Sequence, residues 1–196
     1  MAILMDEILE LDIKAGAHII NMTGTTDIEA EFKVDLSSPD FDVIKGIEVA
    51  MTIEERGRKF YSEASRKVSA PLQPFMKFMA EQEREHYNDL FDLKASLSAM
   101  NLWANKIDPM EVAKSVAGLQ AFRNVRAAKK MTGDIESLLK AMNMEKQTRE
   151  FYEKFAASVK SAEGKAFFRA LADWEKRHYE MVSGMYNAAS YVRPET

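Results

Sequence analysis

The sequence predicts an all-α fold: an antiparallel four-helix bundle made of two duplicated helical hairpins joined by a long crossover. Three observations carry this. Four apolar seams with 3- and 4-residue spacing each persist for about 25 to 30 residues, well beyond ordinary globular helix lengths. Two short breaks, Ser69-Ala70-Pro71 and the stretch around Lys160 to Gly164, join these seams into pairs. The two pairs also repeat one another in sequence.

Taken in order, the first 37 residues form a small N-terminal extension that the pattern leaves open. Ile28 to Leu36 alternates apolar and charged residues, which reads as a strand. Such a strand needs a partner, either Leu9, Leu11 and Ile13 in a hairpin or another subunit. Leu4, Ile8, Leu11, Ala15 and Ile19 fit a helical seam equally well. The bundle is expected over residues 38–190, starting at Ser38-Pro39-Asp40. There a hydroxyl caps orphan N–H groups, proline takes the first helical position and an acid lies in the first turn. This helix should run to about Val68, with Ile47, Met51, Glu54, Tyr61, Ala64 and Val68 on its buried side.

The second helix opens after Pro71 and tolerates Pro74 because that residue falls in its first turn. Its seam is Leu72, Phe75, Met79, Glu83, His86, Leu90, Leu93 and Leu97. The crossover, Asn101 to Gly133, contains Asp108-Pro109-Met110-Glu111, a cap followed by proline and an acid that predicts a short helix. A third helix opens near Asp134 and ends near Val159, with Leu138, Met142, Glu145, Tyr152 and Phe155 on one side. The fourth opens near Ser161 and turns Phe168, Leu171, Glu175, His178, Val182 and Met185 inward.

Composition bounds the chemistry. The 196 residues, 46% hydrophobic, suffice for one domain with a substantial core. A formal charge of -4 gives no overall pull toward nucleic acid or anionic lipid. With no cysteine, disulfides, thiolate catalysis, cysteine-ligated iron–sulfur centres and thiolate zinc sites are excluded, so any metal sits on oxygen and nitrogen. No apolar run approaches the roughly 18 residues of a membrane span, and Asp6 with no basic leader argues against a signal peptide. A cytoplasmic protein that contacts neither membrane nor nucleic acid is expected.

The repeat locates the site. An offset of 91 pairs Glu54 with Glu145, Arg58 with Arg149 and Phe60-Tyr61 with Phe151-Tyr152; one added residue in the second hairpin turn then makes the offset 92, pairing Glu83 with Glu175 and His86-Tyr87 with His178-Tyr179. Each half is thus Glu-x5-Phe-Tyr followed by Glu-x-x-His-Tyr. Glu-x-x-His puts a carboxylate and an imidazole on one helical face, roughly 5–6 Å apart at the β-carbons. One such pair is a weak signal. Two copies on apolar seams, each opposite the same upstream glutamate, match the ligand set of a two-metal centre in a four-helix bundle.

Four buried carboxylates without compensation would cost many kcal/mol, whereas Glu54, Glu83, Glu145 and Glu175 balance two divalent cations. The simplest arrangement gives Glu54 and His86 to one ion and Glu145 and His178 to the other, with Glu83 and Glu175 as bridges. Carboxylate-rich, single-imidazole coordination suits iron or manganese, and raw affinity also admits zinc. Tyr61 and Tyr152, two turns beyond the first-helix glutamates, either hydrogen-bond the bridging carboxylates or fill the core.

These motifs, spanning residues 43 to 185, resemble the rubrerythrin branch of the ferritin-like superfamily. The resemblance implies a di-iron bundle whose relatives reduce peroxide or oxidise ferrous iron. It therefore implies two iron ions as cofactor, peroxide or dioxygen as substrate and an oxidoreductase of peroxidase or ferroxidase type. The alternative is a non-catalytic protein related to iron binding or storage. It also implies a homodimer or higher homo-oligomer. Two departures stand out. Complete rubrerythrins add a four-cysteine rubredoxin domain for electron delivery, so this cysteine-free chain would need an external electron-donor protein. They also carry a further glutamate beside the third-helix ligand, where Lys146, Gln147, Thr148 and Arg149 stand here.

Other features read as ordinary structure. His18 lies outside both motifs and reads as a surface or packing histidine. Arg123, Arg126, Lys129 and Lys130 read as a solvated face, the 13 methionines as core filler, and Trp103 and Trp174 as packing residues.

Overall fold

The computed structural model describes residues 32–33, 35–38, 42–100 and 132–190. The chain divides into two compact units, 1–34 and 35–196. The second unit holds four long helices: α1 (Val43–Lys67), α2 (Gln73–Met100), α3 (Thr132–Ser158) and α4 (Ala162–Ser190). At 1.5 Å per residue they are roughly 37–44 Å long. α1 packs along α2 and α3 along α4, while α1 also meets α3, so two hairpins share one core. This is the all-α four-helix bundle that the seams predict. None of the described helices is long and apolar enough to cross a membrane.

Local chemistry accounts for the helix ends. α1 begins at Val43, not at the expected Ser38-Pro39-Asp40 start. Asp42 adopts an extended conformation, and its carboxylate accepts from the Ile44 and Lys45 N–H groups at 2.9 and 3.3 Å. Upstream, Asp35 folds its carboxylate onto the Ser37 N–H and hydroxyl, which makes a turn where the alternating pattern suggested a strand. The strand reading also fails at Phe32, which is helical, and at Lys33, whose φ of 52° is left-handed. The rest of that segment lies outside the described residues. So do the crossover helix expected at Asp108, the basic run from Arg123 to Lys130, His18 and Trp103.

The turn between α1 and α2 is tied to the second hairpin. The Ser69 N–H donates to Asp134 in the first turn of α3 at 2.8 Å. Pro74, second residue of α2, needs no intrahelical donor there. Ser161 caps α4 by accepting from the Gly164 N–H at 3.0 Å.

Every residue of the four predicted seams is buried, apart from the half-buried Met51 and Leu97. At one end, Tyr61, Leu72, Phe75, Met79, Leu138, Met142, Val182 and Met185 from all four helices form a common apolar cluster. At the other, Phe155 stacks on Phe168 with centroids 3.8 Å apart, and Tyr152 stacks on Phe168 at 6.2 Å. The polar seam residues lie between these two apolar plugs, about midway along each helix.

Candidate metal centre

Glu54, Glu83, His86, Glu145, Glu175 and His178 all converge at mid-bundle, and none is more than 3% exposed. Their potential ligand atoms lie within 4.8 Å of one another in two overlapping groups of four and in a third group of His86, Glu175 and His178. One group of four is Glu54, Glu83, His86 and Glu175; the other is Glu83, Glu145, Glu175 and His178. Glu83 and Glu175 belong to both. The duplication thus appears in space as two half-sites sharing two carboxylates.

Both imidazoles turn Nδ1 toward the carboxylates. His86 Nδ1 stands 3.2 Å from Glu175 Oε1 and 3.3 Å from Glu54 Oε2. His178 Nδ1 stands 3.4 Å from Glu83 Oε1, 3.5 Å from Glu145 Oε2 and 3.7 Å from Glu175 Oε2. The two rings stack with centroids 5.1 Å apart. Trp174, buried, meets both edge-on, at 5.4 Å from His86 and 6.3 Å from His178. It therefore packs as expected, and its packing partners are the two histidines.

The atoms left without a hydrogen-bond partner test whether these residues fit metal ions. They include Glu54 Oε2, Glu83 Oε1, both Glu175 oxygens, His86 Nδ1 and His178 Nδ1. Buried polar atoms are nearly always satisfied, so this many orphans in one place calls for a missing partner. Atoms bound to one ion at about 2.1 Å sit roughly 3 Å apart, close to the spacing seen here. An all-oxygen-and-nitrogen set with four carboxylates matches hard or borderline divalent cations.

The electrostatics reflect four acids crowded around two bases. Burial, then the charges of Glu145, Glu175 and Glu54, push the Glu83 carboxyl well above its usual range. Burial likewise lifts Glu145, to about 8, although the His178 imidazole beside it opposes the shift. Burial also acts on Glu175, but the nearby imidazoles of His178 and His86 outweigh it and hold that carboxyl well below the ordinary range. Burial works against a charged His86, yet Glu175 and Glu54 overcome it and raise the imidazole to about 10. His178 is raised the same way, with Glu145 its principal partner.

Two tyrosines cross-link the halves. Tyr61 on α1 donates its hydroxyl to Glu145 on α3, and Tyr152 on α3 donates to Glu54 on α1. These are the glutamates read as serving one ion each, not the shared Glu83 and Glu175. Burial, reinforced by the carboxylate each faces, raises both phenols well above their usual range, so each stays a donor.

Sequence reasoning missed Gly57. It lies one helical turn beyond Glu54, and a Cβ there would meet Glu83 Oε2 at 2.8 Å. Glu83 fills the space that the absent side chain leaves. A glycine in mid-helix costs about 0.5–1 kcal/mol relative to alanine, and that was the signal available. In the other half the equivalent residue is Thr148, buried, with its hydroxyl turned back to the Met144 carbonyl at 3.1 Å.

Among comparisons with known proteins, the family model described as rubrerythrin matches residues 45–186. No curated protein and no solved structure matches the chain.

Proposed function

The chain belongs to the rubrerythrin family, whose members are di-iron carboxylate proteins, and on that premise we propose a di-iron oxidoreductase that reduces peroxide, or dioxygen, using an external electron donor. In this reading Glu54 and His86 would hold one ion and Glu145 and His178 the other, with Glu83 and Glu175 available to both. Iron held by these residues would supply electrons for the reduction of an O–O bond, one from each ferrous ion. Peroxide takes up those electrons with two protons and leaves as two waters. These 196 residues hold no cysteine, and in this proposal a separate electron donor returns the electrons.

The protein's own part is to hold and enclose. Tyr61 and Tyr152 fix the outer oxygens of Glu145 and Glu54 and keep their remaining oxygens facing inward. The apolar clusters on either side limit the entry of bulk water. Manganese or zinc would bind the same donors, but zinc could not perform the electron transfer. We place the protein in the cytoplasm as a homodimer or higher homo-oligomer.

The observation that carries the reading is the enclosure of all six residues, none more than 3% exposed. It favours resident ions over iron held as cargo. Stopped-flow absorbance of the ferrous protein tests it. Oxidation by peroxide should consume two electrons per site and reverse when a small redox protein is added. Accumulation of ferric iron beyond two ions per chain would instead establish the storage-related alternative.

A further inference from the structure

A groove of about 520 Å³ lies between α1 and α2 of the first hairpin. Its lining includes Arg58, Arg66, Lys77 and Arg84 against a single carboxylate, Glu81. That is a strongly positive cleft on a chain whose net charge is -4. Arg58 is engaged by Glu55 at 2.6 and 2.7 Å, and Arg84 by Glu81. Arg66 and Lys77, one on each wall, have no ion-pair partner among the described residues. Between them lie the half-buried Ser62 and Gln73, which offer a hydroxyl and the second N–H of an amide whose nitrogen also donates to the Val68 carbonyl at 3.3 Å.

Helix electrostatics explain only part of this. Arg66 is in the last turn of α1, where a cation offsets the helix dipole. Lys77 is near the start of α2, where a cation is disfavoured, and no acid in that first turn offsets it. The duplication supplies an internal comparison. At the equivalent positions of the second hairpin, Ser62 becomes Glu153, Ser65 becomes Ala156 and Arg66 becomes Ala157. Glu153 pairs with Arg149 at 3.4 Å, so a carboxylate stands where the first hairpin leaves a hydroxyl. The cations Arg58, Lys77 and Arg84 recur as Arg149, Arg169 and Lys176, so what sets the first hairpin apart is Arg66 together with the hydroxyls of Ser62 and Ser65.

We propose that this groove binds a small polyanion, a compound with two or more phosphate or carboxylate groups, bridging Arg66 and Lys77 with Ser62 and Gln73 donating from the floor. Two anionic groups are needed because Arg66 and Lys77 stand on different helices, one on each wall. A small molecule fits better than a protein surface, because the hydroxyl and amide belong to half-buried residues of the groove lining. Its volume also lies within the roughly 300–1,000 Å³ of small-molecule sites.

The test is calorimetric titration of the metal-loaded full chain at a fixed ionic strength of about 0.15 M. The probe is a hexose bisphosphate, whose separated phosphates chelate metal poorly, compared with the monophosphate and with inorganic phosphate. Saturable binding at one per chain, tighter for the bisphosphate than for either comparison, is expected. The Arg66→Gln, Lys77→Gln double variant should weaken it by about tenfold or more. Arg169→Gln, at the position equivalent to Lys77 on the other hairpin, should leave it unchanged. Absence of saturable binding, equal affinity for the monophosphate, or equal loss in both variants would overturn the proposal. Circular dichroism and metal content of each variant keep unfolding or stripped metal from imitating the expected result.

Discussion

A methyl group added at Gly57 would stand 2.8 Å from Oε2 of Glu83 and 3.0 Å from its Cδ. The α1 backbone and a shared carboxylate of α2 are thus in as close contact as the fold allows. Alanine is the better helix former by about 0.5–1 kcal/mol, so Gly57→Ala should keep its helical content. Glu83 would nevertheless have to leave its position. The variant is expected to bind fewer than two metal ions per chain by elemental analysis while its far-ultraviolet circular dichroism is unchanged. Two tightly held ions in Gly57→Ala would show that Glu83 does not need that space.

The reciprocal tyrosines make a prediction about symmetry. Tyr61→Phe and Tyr152→Phe each remove one buried hydrogen bond to a carboxylate, worth about 1.5–3 kcal/mol. Similar losses are expected from the two variants in denaturant titrations, with two metal ions still bound. In a double-mutant cycle, Tyr61→Phe should couple to Glu145→Gln and not to Glu54→Gln. Coupling to both acids would mean that the hydroxyls act on the cluster as a whole.

Most of this was legible in the sequence for one physical reason: a long buried helix must repeat its inward positions every three to four residues. Polar residues at those positions, such as Glu54 and His86, stand out against Ile47 and Leu90. Contacts between helices leave no such periodic mark. The crossed pairing of Tyr61 with Glu145 depends on how α1 meets α3, and the role of Gly57 on how closely α2 approaches α1. The start of α1 was misplaced because two capping signals, Ser38 and Asp42, lie one turn apart and only backbone geometry chooses between them.

The bond from the Ser69 N–H to Asp134 joins the first hairpin turn to the start of the second hairpin. Asp134 is only 4% exposed, so its removal leaves a partly buried donor without its acceptor. Asp134→Ala should cost about 1–3 kcal/mol in denaturant-induced unfolding and leave metal stoichiometry at two. Ser69→Ala keeps the backbone N–H and should have a much smaller effect. Equal losses in the two variants would point to the serine hydroxyl instead.

Protons and metal ions compete for the same six side chains, and this sets the pH dependence. Glu145 is lifted, chiefly by burial, from 4.5 to about 8, and Glu83 is lifted in the same direction. Between those values the folded chain holds protons that the unfolded chain releases, so stability falls as pH rises. His86, where Glu175 and Glu54 outweigh the effect of burial, moves from 6.5 to about 10; its contribution is complete below 6.5 and is lost as pH rises through 10. Glu175 is depressed and acts oppositely, but only in acid. From about pH 6 to about pH 9 these groups therefore pull the same way. The melting temperature of metal-free protein should fall across that window, and much less so after loading, because the ions replace the protons. Loading in weak buffer should release protons, and metal affinity should climb with pH. A metal-free melting temperature that stayed level or rose from pH 6 to 9 would contradict this account of the cluster.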